Sequence, residues 1–180
     1  MSPFVQTPQP RMGMMLAWYP PMEVRERLAL PGGELASELH VTLLYFGKYD
    51  EIDLSRLSQL RNALSVFVET VTPMKGEIGG VGRFTASPQS EGKDPLIALI
   101  SVPKLHELRV QLEKLVSTLV SMKPSPHGFI PHLTLAYLNE GQEAPIQILP
   151  RIPIVIDSLT LKVGGLAEEY ALEGVSNDFL

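Results

Sequence analysis

The chain has 180 residues, 44% of them hydrophobic, and a formal net charge of −5. That is enough apolar material for the core of one domain, or of two closely packed small lobes. There is no cysteine, which excludes a disulfide framework, a thiolate nucleophile and a cysteine-based zinc site. A long nucleic acid calls for a basic surface to neutralise its phosphates. The acidic balance points instead to a small anionic substrate or a short end held locally.

In chain order, residues 1–13 read as a loose N-terminal segment: three prolines and no apolar stretch of signal-peptide type. Residues 14–180 read as a single bilobal domain. No apolar run approaches the roughly 18–20 residues that span a bilayer, so a soluble, cytoplasmic, monomeric protein is expected. Met14 to Tyr19 is a short apolar run stopped by Pro20-Pro21, and predicts a first strand. Glu23 to Leu30 is mixed and Pro31-Gly32-Gly33 is a turn. A second strand is predicted over about 39–47, ending at Gly47. Asp53 can cap a helix over 54–71, whose stripe is Leu54, Leu57, Leu60, Leu64, Phe67, Val68 and Val71.

Met74 to Phe84 holds four glycines among alternating apolar residues and predicts a twisted or bulged strand. Thr85 to Pro95 predicts an exposed hairpin loop, and Leu96 to Val102 a buried strand. Pro103 suits the first turn of a helix over 103–122. A strand follows Pro131, then a proline-containing linker over 139–153. One strand is expected over 154–163 and a last one over 168–172. Two sheet-and-helix lobes with helices outside would leave two sheets facing a common cleft.

Two of these strands repeat one another. His40-Val41-Thr42-Leu43-Leu44-Tyr45 aligns with His132-Leu133-Thr134-Leu135-Ala136-Tyr137, and the histidines lie 92 residues apart (132 less 40). Strand alternation puts each histidine on one face with its threonine, and each tyrosine on the opposite, core face. Paired across a cleft, two imidazoles can divide proton transfer between a neutral base and a protonated acid. Two hydroxyls can donate hydrogen bonds to anionic oxygens. That set suits in-line displacement at phosphorus, with water or a ribose 2′-hydroxyl attacking. His106 reads as a solvated helix residue and His127 as a surface loop residue. The four glycines at 76–82 lack the following Lys-Ser/Thr of a phosphate loop.

His-x-Thr twice, with Phe129-Ile130-Pro131 leading into the second copy, resembles the 2H phosphoesterase superfamily. It is most similar to the bacterial and phage 2′-5′ RNA ligase-like (LigT-like) branch. The resemblance implies an α+β, bilobal fold with two antiparallel sheets facing a central cleft. It also implies a phosphodiesterase without metal or other cofactor, acting on 2′,3′-cyclic phosphates or on 2′-5′ and 3′-5′ linkages. His40, Thr42, His132 and Thr134 match the family motif as the catalytic set. The family pattern further suggests Trp18, Tyr19, Arg83, Phe84 and Phe129 as base or phosphate contacts. The acidic charge departs from RNA-end-processing members and favours a small nucleotide or cyclic oligonucleotide as substrate. RNA ends, 2′-5′ ligation and a non-catalytic nucleotide-sequestering module are the alternatives.

Overall fold

The computed structural model describes residues 13–123 and 128–175. Strand β1 (Gly13–Trp18) leads through helix α1 (Met22–Leu28) to β2 (Val41–Lys48) and helix α2 (Leu54–Val68). Then come β3 (Met74–Arg83), β4 (Asp94–Ser101), helix α3 (Leu105–Val116) and β5 (His132–Leu138). The chain closes with β6 (Ile152–Ile156), β7 (Ser158–Val163) and β8 (Leu166–Ala171). The strands form two four-stranded antiparallel sheets, ordered β2-β1-β7-β8 and β5-β4-β3-β6. The expected α+β, two-sheet architecture is therefore present.

Each His-Thr strand is the edge of its sheet, and the two edges, β2 and β5, lie against each other. One apolar cluster runs through both lobes, joining Leu16 and Leu161 of the first sheet to Ile78 and Leu133 of the second. The amphipathic helices cover it. In α2 the buried stripe is Leu57, Leu60, Leu64 and Val68; in α3 it is Leu105, Leu108, Leu112 and Val116. The Asp53 carboxylate caps α2 by accepting from the Ser55 amide at 2.6 Å. No helix among the described residues is long and apolar enough to cross a membrane.

Several expectations need correction. Residues 22–28 form a helix where no element was expected. Leu54 is 81% exposed, so the α2 stripe starts one turn later. Helix α3 is shorter than 103–122, because Lys104 caps it in a left-handed conformation, with φ at 67°. Pro103 therefore stays outside. At the other end Ser117 and Thr118 compete with the helical backbone for hydrogen bonds. The strand expected over 154–163 is two strands in different sheets. Burial falls on Ile152, Ile154 and Ile156, then on Leu159 and Leu161, so the alternation changes phase at Asp157. A single regular strand cannot change phase in this way.

Helix α2 is tied to β8 by a charged clamp. Arg61 Nε donates to both Glu168 oxygens, at 3.0 and 2.8 Å, and the Tyr170 hydroxyl donates to Glu168 Oε2 at 3.2 Å. The guanidinium holds the Glu168 carboxyl below its ordinary value, against the opposing effect of burial. Burial, then the neighbouring carboxylate, pushes the Tyr170 phenol up to about 12. A depressed carboxyl stabilises the fold above its unfolded value and loses that contribution as pH falls through the folded one. Because both partners are about one-third exposed, solvent screening keeps the effect small. Glu168→Gln is expected to lower unfolding stability by about 0.5–1 kcal/mol at pH 7. In denaturant titrations that difference should shrink as the pH is taken below about 4.

Candidate active site

The site is built on one irregularity that occurs twice. Along β1 and β2, Leu16 faces Leu44 but Ala17 faces Thr42, so Leu43 has no opposite number. Along β4 and β5, Leu96 faces Ala136 but Ile97 faces Thr134, so Leu135 has none. The two bulges fall on the same residue of the repeated motif. An extra residue resets the alternation beyond it. Leu43 and Leu44, like Leu135 and Ala136, are consecutive buried residues, and the tyrosine that follows each pair turns outward. Tyr45 is 42% exposed and Tyr137 43%, and both line the cleft. The expectation that these tyrosines belong to the core is overturned by the bulges.

A bulged residue withdraws its carbonyl from the ladder, and each of these carbonyls finds a partner elsewhere. Leu43 O accepts from Arg109 Nε at 3.1 Å, which ties α3 to β2. Leu135 O accepts from the Glu34 amide at 2.8 Å, which ties the 31–39 segment of the first lobe to β5. The approach is so close that a Cβ on Gly33 would sit 2.4 Å from Leu135 O. Only glycine fits there.

The two imidazoles are held alike. His40 Nδ1 lies 2.6 Å from Glu38 O, and His132 Nδ1 lies 2.5 Å from Ile130 O. A carbonyl oxygen can only accept, so in each ring Nδ1 carries the hydrogen. Each histidine also has an aromatic ring beside it. The Tyr19 ring is 5.3 Å from His40, and Phe84 meets His132 edge-on at 4.9 Å. Lys162 Nζ pairs with Glu38 at 3.1 Å and holds the turn whose carbonyl orients His40.

The cleft has two connected chambers. One, of about 210 Å³, is lined by His40, Thr42, His132 and Thr134 together with Glu34, Glu38 and Tyr137. The other, of about 260 Å³, shares Thr42, His132 and Tyr137 with the first. It continues past Phe84, Phe129 and Tyr45 to Arg109 and Lys123. Ser87 and Gln89 of the β3–β4 loop border it as well. Arg109 lies over the Phe129 ring at 4.7 Å, and His106 packs against the same ring at 5.0 Å. His106, expected to be merely solvated, also lies 3.2 Å from the Phe129 carbonyl. Among the described residues no group of three or more His, Asp or Glu is placed to hold a metal ion.

The structure thus brings His40, Thr42, His132 and Thr134 into one chamber and sets Phe84 and Phe129 in the next. Tyr19 touches His40 without lining either chamber. Two expected contacts are corrected. Trp18 is 1% exposed, in phase with Met14 and Leu16 toward the core, so it cannot meet a ligand. The Arg83 guanidinium binds Asp94 at 2.7–2.8 Å and the carbonyls of Gln142 and Asn139 at 2.6 and 3.1 Å. It fastens β3 to β4 and to the following loop. His127 lies outside the described residues. Sequence reasoning missed Glu34, Glu38, Arg109, Lys123 and the outward tyrosines. Only the tyrosines left a signal, the doubled apolar pair that breaks an alternating run.

Two sheets meeting at a pair of His-x-Thr edge strands, with helices outside, define the 2H phosphoesterase class. A family model described as the 2′-5′ RNA ligase superfamily matches residues 17–167, and the chain belongs to that family. Solved structures share the fold. TT0787 of Thermus thermophilus has a TM-score of 0.71 at 20% identity, over 92% of this chain and 100% of that one. Escherichia coli LigT, solved with 3′-AMP, gives 0.58 at 18% identity, over 90% and 95%. Usb1 of Kluyveromyces marxianus, solved with uridine monophosphate, gives 0.54 at 10% identity, over 91% and 99%. A comparison with curated proteins finds no match.

The hydrogen bonds to Glu38 O and Ile130 O predict that both neutral imidazoles carry their proton on Nδ1. Nitrogen-15 spectra of histidine-labelled protein, taken above the titration range, should place both side chains in that tautomer. A population of the Nε2–H form in either ring would contradict the geometry.

Proposed function

We propose that this protein breaks a nucleotide phosphodiester by in-line displacement at phosphorus, with His40 and His132 as general base and general acid. Nε2 of the neutral histidine takes the proton of a water or a ribose 2′-hydroxyl. That oxygen bonds to phosphorus as the bond to the leaving oxygen breaks. Nε2–H of the protonated histidine delivers its proton to the leaving oxygen. The Thr42 and Thr134 hydroxyls donate to the non-bridging oxygens, where charge builds. The observation that carries this reading is the shared Nδ1 anchoring of two imidazoles that line one chamber with two threonines. The neighbouring aromatic chamber suits a nucleoside, whose base can stack on Phe84, Phe129 or a tyrosine ring. Nucleotides occupy the related folds of LigT and Usb1.

Linkages open to this chemistry are 2′,3′-cyclic phosphates and 2′-5′ or 3′-5′ diesters. The net charge of −5 favours small soluble substrates, cyclic oligonucleotides among them, over long RNA. The mechanism asks nothing of a metal.

The direct test is a panel of cyclic di- and trinucleotides, 2′-5′ oligoadenylate and RNA ending in 2′,3′-cyclic phosphate, with products separated after incubation. His40→Ala and His132→Ala should each lower kcat by about 10²–10⁴-fold, and EDTA should leave turnover unchanged. Ligand bound but returned intact across the panel would favour sequestration instead. The pH–rate profile should be bell-shaped, because one imidazole must be neutral and the other charged. A single-limbed profile would mean that only one histidine transfers a proton. Tyr137→Phe should retain most activity and Tyr137→Ala should raise KM about tenfold, since the ring supplies stacking worth roughly 1–3 kcal/mol.

A further inference from the structure

The two histidines are anchored alike, but their anchors are held by different means. Ile130, whose carbonyl orients His132, lies between two tied neighbours. The Pro131 carbonyl accepts from the Ile100 amide of β4 at 3.1 Å, and His106 Nε2 lies 3.2 Å from the Phe129 carbonyl. Glu38, whose carbonyl orients His40, ends a single 3₁₀ turn, Ala36–Glu38. That turn buries none of its residues and no side chain caps it. A turn with so little packing of its own stays where its polar ties hold it. Two other elements supply ties. Arg25 of α1 donates through Nη1 to the carbonyls of Ala36 and Ser37, at 3.3 and 3.0 Å, and through Nε to that of Pro20 at 2.7 Å. Lys162 of β7 reaches Glu38 itself, donating to Oε2 at 3.1 Å, with the two side chains only 15% and 25% exposed. A pair so far removed from water holds its geometry better than a surface pair. The Tyr19 ring lies 5.7 Å from that ammonium and 5.3 Å from His40, so lysine, turn, ring and imidazole form one packed group. Lys162 lines neither chamber, which leaves it no direct contact with a ligand there.

Resting on the function proposed above, we infer that Lys162 is a positioning residue for His40 and not for His132. By drawing the Glu38 side chain onto β7 it fixes the Glu38 carbonyl, and that carbonyl fixes the tautomer and plane of the His40 ring. One half of the site is thus set by a strand that does not line it. Lys162 also neutralises a carboxylate that lines the reactive chamber, so the test has to separate geometry from charge.

Nitrogen-15 spectra of histidine-labelled protein, taken above the titration range, read this without turnover. In Lys162→Met the His40 ring should acquire an Nε2–H population, while His132 keeps its Nδ1–H form and reports an intact fold. Lys162→Arg, which preserves a donor to Glu38, should restore His40. Lys162→Met combined with Glu38→Gln leaves no carboxylate behind, and His40 should be as perturbed there as in Lys162→Met alone. An unchanged His40 in Lys162→Met, both rings altered together, or recovery of His40 in the double variant would each overturn the inference. With a substrate that is turned over, Lys162→Met should lower kcat by about 10–100-fold, the scale of a slightly misplaced catalytic group, and Lys162→Arg by far less. No turnover of any substrate by the unaltered protein, with the His40 change present in Lys162→Met, would sink the reaction and leave the brace standing. Turnover whose kcat is untouched in Lys162→Met would sink the brace alone.

Discussion

Leu43 and Leu135 are each one residue too many for the strand they pair with, and much of the molecule is arranged around that surplus. A carbonyl pulled out of a ladder and left unpaired in a buried place costs about 1–3 kcal/mol. Here neither is left unpaired. The guanidinium of Arg109 takes one, and the amide of Glu34 takes the other. Both partners come from outside the strand's own sheet. The irregularity that would weaken each edge strand is thus what fastens α3 to β2 and the first lobe to β5. A bulge also blunts an edge against pairing with other chains, which matters where two edges meet in an open cleft.

The chemistry inherits its order from the same place. Upstream of each bulge the strand presents His and Thr; downstream it presents Tyr on the same face. The imidazoles are then turned by carbonyls two residues back, Glu38 and Ile130, so that local backbone helps set their orientation. Glu34 and Glu38 line the chamber that holds both histidines, and Arg109 and Lys123 line the neighbouring one. A site made from two nearly equivalent halves thereby becomes unequal, because its two chambers carry different side chains.

What the sequence made legible follows from how local each signal was. The His-x-Thr pairs, the α2 cap at Asp53 and the leucine stripes depend on neighbours within a few positions, and each could be read directly. The tyrosines could not be placed by alternation, because a bulge is defined by the opposing strand and alternation assumes there is none. Trp18 and Tyr19 are adjacent, yet one is core and the other stands beside His40; which is which depends on the phase set by Met14 and Leu16. Arg83 reads in sequence as a cation available to a ligand, but its partner Asp94 is brought to it by the hairpin register. Arg109 and Lys123 reach the cleft only through tertiary packing, and nothing in their own segments marks them.

The phase change at Asp157 has a consequence for how the chain assembles. The second sheet is built from consecutive strands, β3 to β6, whereas the first needs β1 and β2 to wait for β7 and β8. The lobes therefore do not correspond to the two halves of the chain; one is inserted within the other. During synthesis from the N-terminus, the lobe bearing His132 can complete its sheet while the strand following His40 still lacks two members of its own. Distant pairings of this kind close slowly. The half-site encoded first is the one whose sheet is finished last, because it waits for β7 and β8.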